Sequence, residues 1–391
     1  MIRITEAKEK LKAITKKLPT EKVKLENALG KILANDVLSP MDVPPFDNSA
    51  MDGYAILLDN KIEQYTITKN IKAGNTKIVK IKAGEAARIF TGAPIPAGAD
   101  TVVQQEMVQR MDEKIQIISD TITKGEHIRL RGSQCMKGNV IINKDTKITP
   151  GTVGLLGSVG ITEVRVYREP KVSVIITGDE LVQPGKKLRA GEIYNSNQYA
   201  IAAYLQLLGI NYTNFYHAKD TLTEMQNCIK QAIQECDVLI ITGGISVGEY
   251  DFVKPALENA GVKELFYKVK QKPGKPLFVG TKKHQLIFAL PGNPAAVISC
   301  FNQYVKPCLL QMKGEQNTFS NAVSIPLAHD WEKKSPLANI LKAEVKNASV
   351  SILQGQDSFN LQAFSNANAF VVLYENDRFV KKGELVEVYY W

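Results

Sequence analysis

The sequence predicts a multidomain α/β plus β protein: a central three-layer α/β domain, an inserted β domain, an N-terminal helix-containing domain and a C-terminal β barrel. Three observations carry this. Residues 170–312 alternate strand and helix patterns, and the strand interiors are apolar throughout, as in a mostly parallel sheet covered on both faces. The stretches 54–135 and 315–391 hold short β patterns punctuated by Gly and Pro. The chain has 391 residues, more than one hydrophobic core accommodates.

The elements follow in order. Ile4, Ala7, Leu11, Ile14 and Leu18 recur at helical spacing, with Thr5 as candidate cap. A second helix is expected around Leu25 to Leu33. Residues 39–53 combine three prolines with turn formers, but interleaved Met41, Val43, Phe46 and Met51 indicate an ordered loop. After the 54–135 strands, residues 136–168 include a short helix near 151–158. In the α/β stretch, strand KVSVIITG precedes a helix at 196–208, NYTNFYHA one at 221–235, and DVLIITGG one at 249–260. ELFYKVKQ and a hairpin, LFVGTKKHQLIFAL, lead to a last helix at 295–312. The tail strands read as a barrel or a sandwich. The expected domains are 1–43 with 136–168 (I), 44–135 (II), 169–313 (III) and 314–391 (IV).

Composition excludes several function classes. No apolar run approaches the ~18–20 residues of a membrane helix, and the N-terminus lacks the apolar stretch of a signal peptide, so no membrane partner and a cytoplasmic location are expected. The net charge is +9, but the lysines are scattered and no nucleic-acid module is visible, so no nucleic-acid partner is expected. The five cysteines form no C-x-x-C pair. Cys228, Cys236, Cys300 and Cys308 read as small buried hydrophobes. The four histidines show no zinc-ligand spacing.

Four loops leave the strand ends of the α/β stretch: TGDE (177–180), TGGISVG (242–248), KPGKP (272–276) and PGNP (291–294). Ligands bind at such ends in doubly wound sheets. Gly243, Gly244, Gly248 and Gly292 permit close backbone approach, and helix starts offer N–H groups to an anion. Lys272 and Lys275 add positive charge. Together these indicate a crevice for a phosphate or another oxyanion. Asp179, Glu180, Asp220, Glu249 and Asp251 lie beside it. Acids near phosphate suit Mg²⁺, whereas Asp220 and Asp251 equally suit helix starts, so both readings stand.

The phrases PPFDNSAMDGYA, TGAPIPAGADTVVQQE, TGDEL, GEIYNSN, TGGISVGEYD, KPGKP and LPGNP, in this order from about residue 5 to the end, resemble the molybdopterin molybdenumtransferases, the MoeA-type molybdenum insertases that include the C-terminal part of gephyrin. The resemblance implies a transferase of molybdenum cofactor biosynthesis that takes adenylylated molybdopterin and molybdate, uses Mg²⁺, inserts molybdenum and releases AMP. It implies a homodimer of four-domain chains whose third domain resembles molybdopterin-adenylylating domains. The active cleft then lies between domain III of one subunit and domain II of the other. A molybdopterin adenylyltransferase and apo-molybdoenzymes are implied as further partners.

The motifs carry functional residues onto Asp52, Thr91, Glu180, Asp220 and Asp251 as catalytic, the last three also as Mg²⁺ ligands. They carry substrate contacts onto Gly243, Gly244, Ser246, Gly248, Lys272, Lys275, Pro276, Pro291, Gly292, Asn293, Pro294 and Ser358. Two departures from the family pattern stand out. Gln134 occupies a position where aspartate is usual, and Leu337–Leu341 lacks the arginine usual near the molybdate. The alternatives are an inactive scaffold of the same fold and a molybdopterin adenylyltransferase. The co-retained acids and lysines speak against the first, the full-length pattern against the second.

Overall fold

A computed structural model describes residues 1–245 and 252–391. The chain forms two compact units. One comprises Met1–Lys22, Gly30–Ala34 and Arg165–Trp391; the other comprises Val23–Leu29 and Asn35–Val164.

The larger unit is built on a six-stranded sheet. In chain order its strands are β1 (Val172–Thr177), β2 (Thr213–Ala218), β3 (Val238–Thr242), β4 (Lys263–Tyr267), β5 (Phe278–Lys282) and β6 (Gln285–Leu290). Their spatial order is β2-β1-β3-β6-β5-β4. The first four are parallel, and β5 and β4 close the edge as antiparallel hairpin partners. Alternate side chains feed two cores, which is why the strands read as unbroken apolar runs. Val172, Val174 and Ile176 pack on one face with Ile4 and Leu11 of helix α1 (Ile4–Ile14). Ile175, Leu239 and Ile241 face the other core. There they meet Met225 and Ile229 of helix α4 (Leu222–Glu235) and Val253 and Leu257 of helix α5 (Val253–Asn259).

The last helix begins as α6 (Pro294–Cys300), opens into a π-helical turn over Phe301–Val305 and resumes as α7 (Lys306–Met312). Pro307 explains the turn. It has no N–H to donate, and its ring would collide with the carbonyl four residues back, so the widened turn relieves the helix.

The tail closes into a barrel. Strands Ala338–Lys346, Ala369–Leu373, Leu385–Tyr390 and Val323–Pro326 pair in sequence, and Ser349–Ile352 pairs back on Ala338–Lys346. A bridge from Leu327 to Val350 completes the circuit. Ile325, Leu341, Val371 and Val388 fill the interior. Gln271–Lys272 adds to this sheet, parallel to Ala338–Asn339.

The smaller unit carries a six-stranded sheet, ordered Thr101–Gln104, Gly53–Ile56, Glu85–Ile89, Gln64–Ile71, Lys114–Ile117 and Val108–Met111. Its only α-helix among the described residues is α2 (Pro150–Ser158), capped by Thr149.

Several local expectations are corrected. Only a 3₁₀ turn, Leu25–Asn27, forms where a second helix was expected, and Gly30, at φ +77°, ends any continuation. Helix α1 begins before Thr5, and the Arg3 N–H donates to the Glu6 carboxylate at 3.2 Å. Burial holds the Cys236, Cys300 and Cys308 thiols up at about 11, 12 and 12. Cys228 is only half-buried.

The start of the sheet is pinned by Asp237. Its carboxylate accepts two guanidinium N–H groups of Arg168, both at 2.7 Å, and the Lys171 N–H at 2.9 Å. Burial alone would raise its pKa, but these donors outweigh burial and hold it below the usual range. Asp237→Ala should cost about 2–3 kcal/mol, less than for a fully buried pair because Arg168 stays partly exposed. The melting temperature should fall by roughly 5–10 °C. In the parent protein this contribution is present above the unfolded carboxyl pKa of ~3.9 and is lost as pH falls through the lower folded value. Melting curves of both proteins at descending pH should therefore converge.

Candidate active site

The crevice lies at the carboxyl ends of β1 and β3. From β1 the chain crosses to β2 on one side, and after β3 it proceeds to the strands on the other. The loops leaving β1 and β3 therefore part, and a hollow of about 400 Å³ opens between them. Thr177, Glu180, Asn197, Asp220, Gly243 and Gly292 are among its walls.

Asp220 is a strut of this hollow, not a helix cap. Thr221 caps α4, its hydroxyl accepting from the Glu224 N–H at 3.4 Å. The Asp220 carboxylate instead accepts a short hydrogen bond from the Thr177 hydroxyl. Reciprocal bonds of 3.4 Å, Asp179 N–H to Asp220 and Asp220 N–H to Asp179, tie the loops after β1 and β2 together. Gly243 turns at φ +91°, where a Cβ would sit 2.7 Å from the Thr177 carbonyl. Asn197, the first residue of helix α3 (Asn197–Leu207), donates to the Gly292 carbonyl at 2.8 Å and fixes the PGNP loop.

The expected free N–H groups at the start of α6 are largely committed. Ala295 N–H donates to the Ser358 carbonyl at 3.1 Å, and the Ala296 and Val297 N–H groups donate to Asn293, both at 3.0 Å. Ser358 thereby adjoins the crevice, and its hydroxyl accepts from the Asn293 amide at 3.3 Å.

Among the described lining residues the ionisable acids are Glu180 and Asp220, with no lysine or arginine. An anionic ligand here needs a cation between itself and the acids, and two carboxylates with phosphate oxygens form the donor set that Mg²⁺ takes. The residues present fit that ion. No cluster of three acidic, histidine or cysteine side chains converges among the described residues. The third expected ligand, Asp251, lies outside them, as do Ser246, Gly248 and Glu249.

Lys272 and Lys275 are exposed and line no part of this hollow. Lys272 instead borders a second hollow of about 380 Å³, with Lys334, Ser335 and Asn339 of the barrel and the acids Glu332 and Asp357. Gly274 between the lysines serves packing. At φ +85°, a Cβ there would stand 2.4 Å from Cys300 Sγ and 2.9 Å from Gln271 Nε2.

In the smaller unit Asp52 and Thr91 meet. Gly53 pairs with Ile89 across antiparallel strands, so the residues just beyond the two ends become neighbours. The Thr91 N–H and hydroxyl both donate to one Asp52 oxygen, at 2.8 and 2.7 Å. These bonds, with Arg88 nearby, hold the carboxyl below its usual pKa. The two motif loops are stitched together by Ser49 N–H to the Ala93 carbonyl, 3.0 Å, and Gly92 N–H to the Ser49 carbonyl, 2.8 Å.

Residues 2–160 match the MoeA N-terminal region (domain I and II), 173–311 a probable molybdopterin binding domain, and 324–391 the MoeA C-terminal region (domain IV). A molybdopterin molybdenumtransferase of Haemophilus influenzae is 33 % identical, covering 94 % of this chain and 93 % of its own length. The chain belongs to the molybdopterin molybdenumtransferase family. A Staphylococcus aureus N315 molybdopterin molybdenumtransferase is 32 % identical over 99 % of this chain and 95 % of the relative. The fold is likewise shared with a crystal structure titled as a molybdopterin biosynthesis MoeA protein of Pyrococcus horikoshii. The TM-score is 0.85 and the identity 30 %, covering 100 % of this chain and 99 % of that one.

The crevice thus gathers Glu180, Asp220, Gly243, Gly244, Pro276, Pro291, Gly292, Asn293 and Pro294, with Ser358 adjoining. Sequence reasoning missed Thr177, Tyr194 and Asn197, although the TGDEL and GEIYNSN phrases contain them. It also missed Lys334, which carries no motif.

The two loop glycines should separate by substitution. Gly274→Ala meets a wall of buried atoms in a left-handed conformation and should lose about 1–3 kcal/mol from overpacking, with further backbone strain. Gly292→Ala places its Cβ 3.6 Å from Gly243 Cα, ordinary contact, and should keep its melting temperature within a degree or two. Differential scanning calorimetry of the two variants measures the contrast.

Proposed function

We propose that this chain inserts molybdenum from molybdate into adenylylated molybdopterin and releases AMP, in molybdenum cofactor biosynthesis. The observation that carries the reading is the acid-lined crevice at the β1–β3 strand ends, in a chain that matches the family along its length. Gly243, Gly244 and Gly292 let the nucleotide–pterin ligand approach the backbone, and Pro291 and Pro294 keep the loop stiff. Glu180, Asp220 and Asp251 would hold Mg²⁺. Bound there, the ion would offset phosphate charge and draw electron density from the bond to AMP. Thr177 and Asp179 keep Asp220 aimed for that task. Lys272 and Lys275, with Ser358, would receive molybdate, and Lys334 adds a second cation on the Lys272 hollow. Asp52, fixed by Thr91, is placed to accept a hydrogen bond from a ligand hydroxyl.

The test follows AMP release from adenylylated molybdopterin. AMP should appear only with molybdate and a divalent cation together. ATP consumption with free molybdopterin would instead assign an adenylyltransferase, and no turnover a scaffold. Asp220→Asn keeps an oxygen for the Thr177 hydroxyl and gives up only the longer bond from the Asp179 N–H, so AMP release should collapse while the melting temperature falls by no more than a few degrees. A large loss of stability with retained turnover would make Asp220 purely structural.

Lys272→Ala should raise the molybdate requirement on the order of ten- to a hundred-fold, the cost of one charged hydrogen bond, and leave binding of the adenylylated pterin intact. Lys275→Ala in parallel tests whether the second loop lysine shares that role. The proposal includes a homodimer. Light scattering should give about 86 kDa, twice the chain's 43.2 kDa, and a fully active monomer would overturn it.

A further inference from the structure

A hollow of about 600 Å³ lies at the opposite end of the sheet from the crevice. Strand β6 joins the two regions. Gln285 and Leu286 at its start line this hollow, and Pro291 just past its end lines the crevice. Six strand residues separate them by about 20 Å. The floor is apolar, from Leu18, Leu286 and Met312, and the rim is basic, from Lys16, Lys17, Lys283 and His284.

The charge arrangement is one-sided. Arg168 also borders the hollow, yet its guanidinium is already engaged by Asp237. Lys17 rests on the Tyr167 ring, 4.8 Å from its centroid, which holds it at the rim. No carboxylate lines the hollow. Like charges around an apolar surface repel one another, and a ligand bearing one negative group relieves them. An attached apolar body would gain ~25 cal/mol for each Å² it covers on the floor. The volume falls within the ~300–1,000 Å³ of small-molecule sites.

We propose that this hollow is a second ligand site, for a small amphipathic organic anion. A carboxylate or sulfonate would pair with Lys16 and Lys283, and its aromatic or aliphatic body would cover Leu18, Leu286 and Met312. The proposal is independent of the chemistry assigned to the crevice, because none of these residues lines it.

The test uses 8-anilinonaphthalene-1-sulfonate as fluorescent probe on the full-length protein at low salt. Wild type should show a saturable fluorescence rise that weakens as salt is added. The double variant Lys16→Glu, Lys283→Glu should bind at least about ten-fold more weakly, the loss of paired charge on the rim. Both positions are exposed, so folding is retained, and AMP release should be unchanged. Decanoate should displace the probe, whereas decyltrimethylammonium, with the same tail and opposite charge, should not. Equal probe affinity in wild type and the double variant would overturn the proposal. So would displacement by both decyl compounds alike, which would reveal a purely apolar surface. A changed probe affinity in Asp220→Asn, with the double variant unaffected, would place the probe in the crevice and equally overturn it.

Discussion

The parallel pairing of β1 with both β2 and β3 is the constraint on which the larger unit depends. Parallel neighbours cannot be joined by tight turns, so each connection must cross a face of the sheet and carries a helix there. Because β1 sits between β2 and β3, the paths after β1 and β3 depart in opposite senses, and their loops cannot fill the space between them. The hollow is thus a consequence of strand order. The residues that border it were placed by backbone ladders before any side chain was chosen. The Thr177–Asp220 bond and the reciprocal Asp179–Asp220 bonds then stiffen the rim that the topology left open.

Charge is distributed against the chain's average. The protein carries a formal +9, yet the crevice presents acids without basic partners among its described lining residues. An anionic substrate would be repelled there unless a cation joined it, which couples binding of the two. The lysines of the KPGKP loop are held away from the crevice by structure, not by chance. Gln271–Lys272 is recruited as an extra strand by the barrel, and buried Gln271 anchors the loop by donating to the Gly274 carbonyl at 3.0 Å and accepting from the Tyr304 hydroxyl. Lys272 consequently faces the barrel's own residues.

Much was legible because local rules sufficed. Largely apolar runs at 172–177, 238–242 and 285–290 read as strands buried on both faces, and the amphipathic stretch 221–235 reads as a helix. The expectation failed around residues 25–33, where a plausible apolar spacing met Gly30 in a left-handed conformation and the chain turned instead. At Asp220 the sequence left a helix cap and a metal ligand both open; the structure removes the cap reading, because Thr221 caps the helix and Asp220 accepts from Thr177.

The sequence by itself determined most element types, the family and the candidate acids, because each of these is written in short contiguous spans. The tertiary structure alone decided which of them meet. Thr177 and Asp220 stand 43 positions apart, and Asp52 and Thr91 39 apart, and strand register brings each pair to hydrogen-bonding distance. Gly274 shows the same division, because only the packed core reveals that the space beside it is filled by the Cys300 sulfur and the Gln271 amide. Spacing along a chain records local conformation, whereas contact between distant residues depends on which strands pair and in what register, and no contiguous span encodes that.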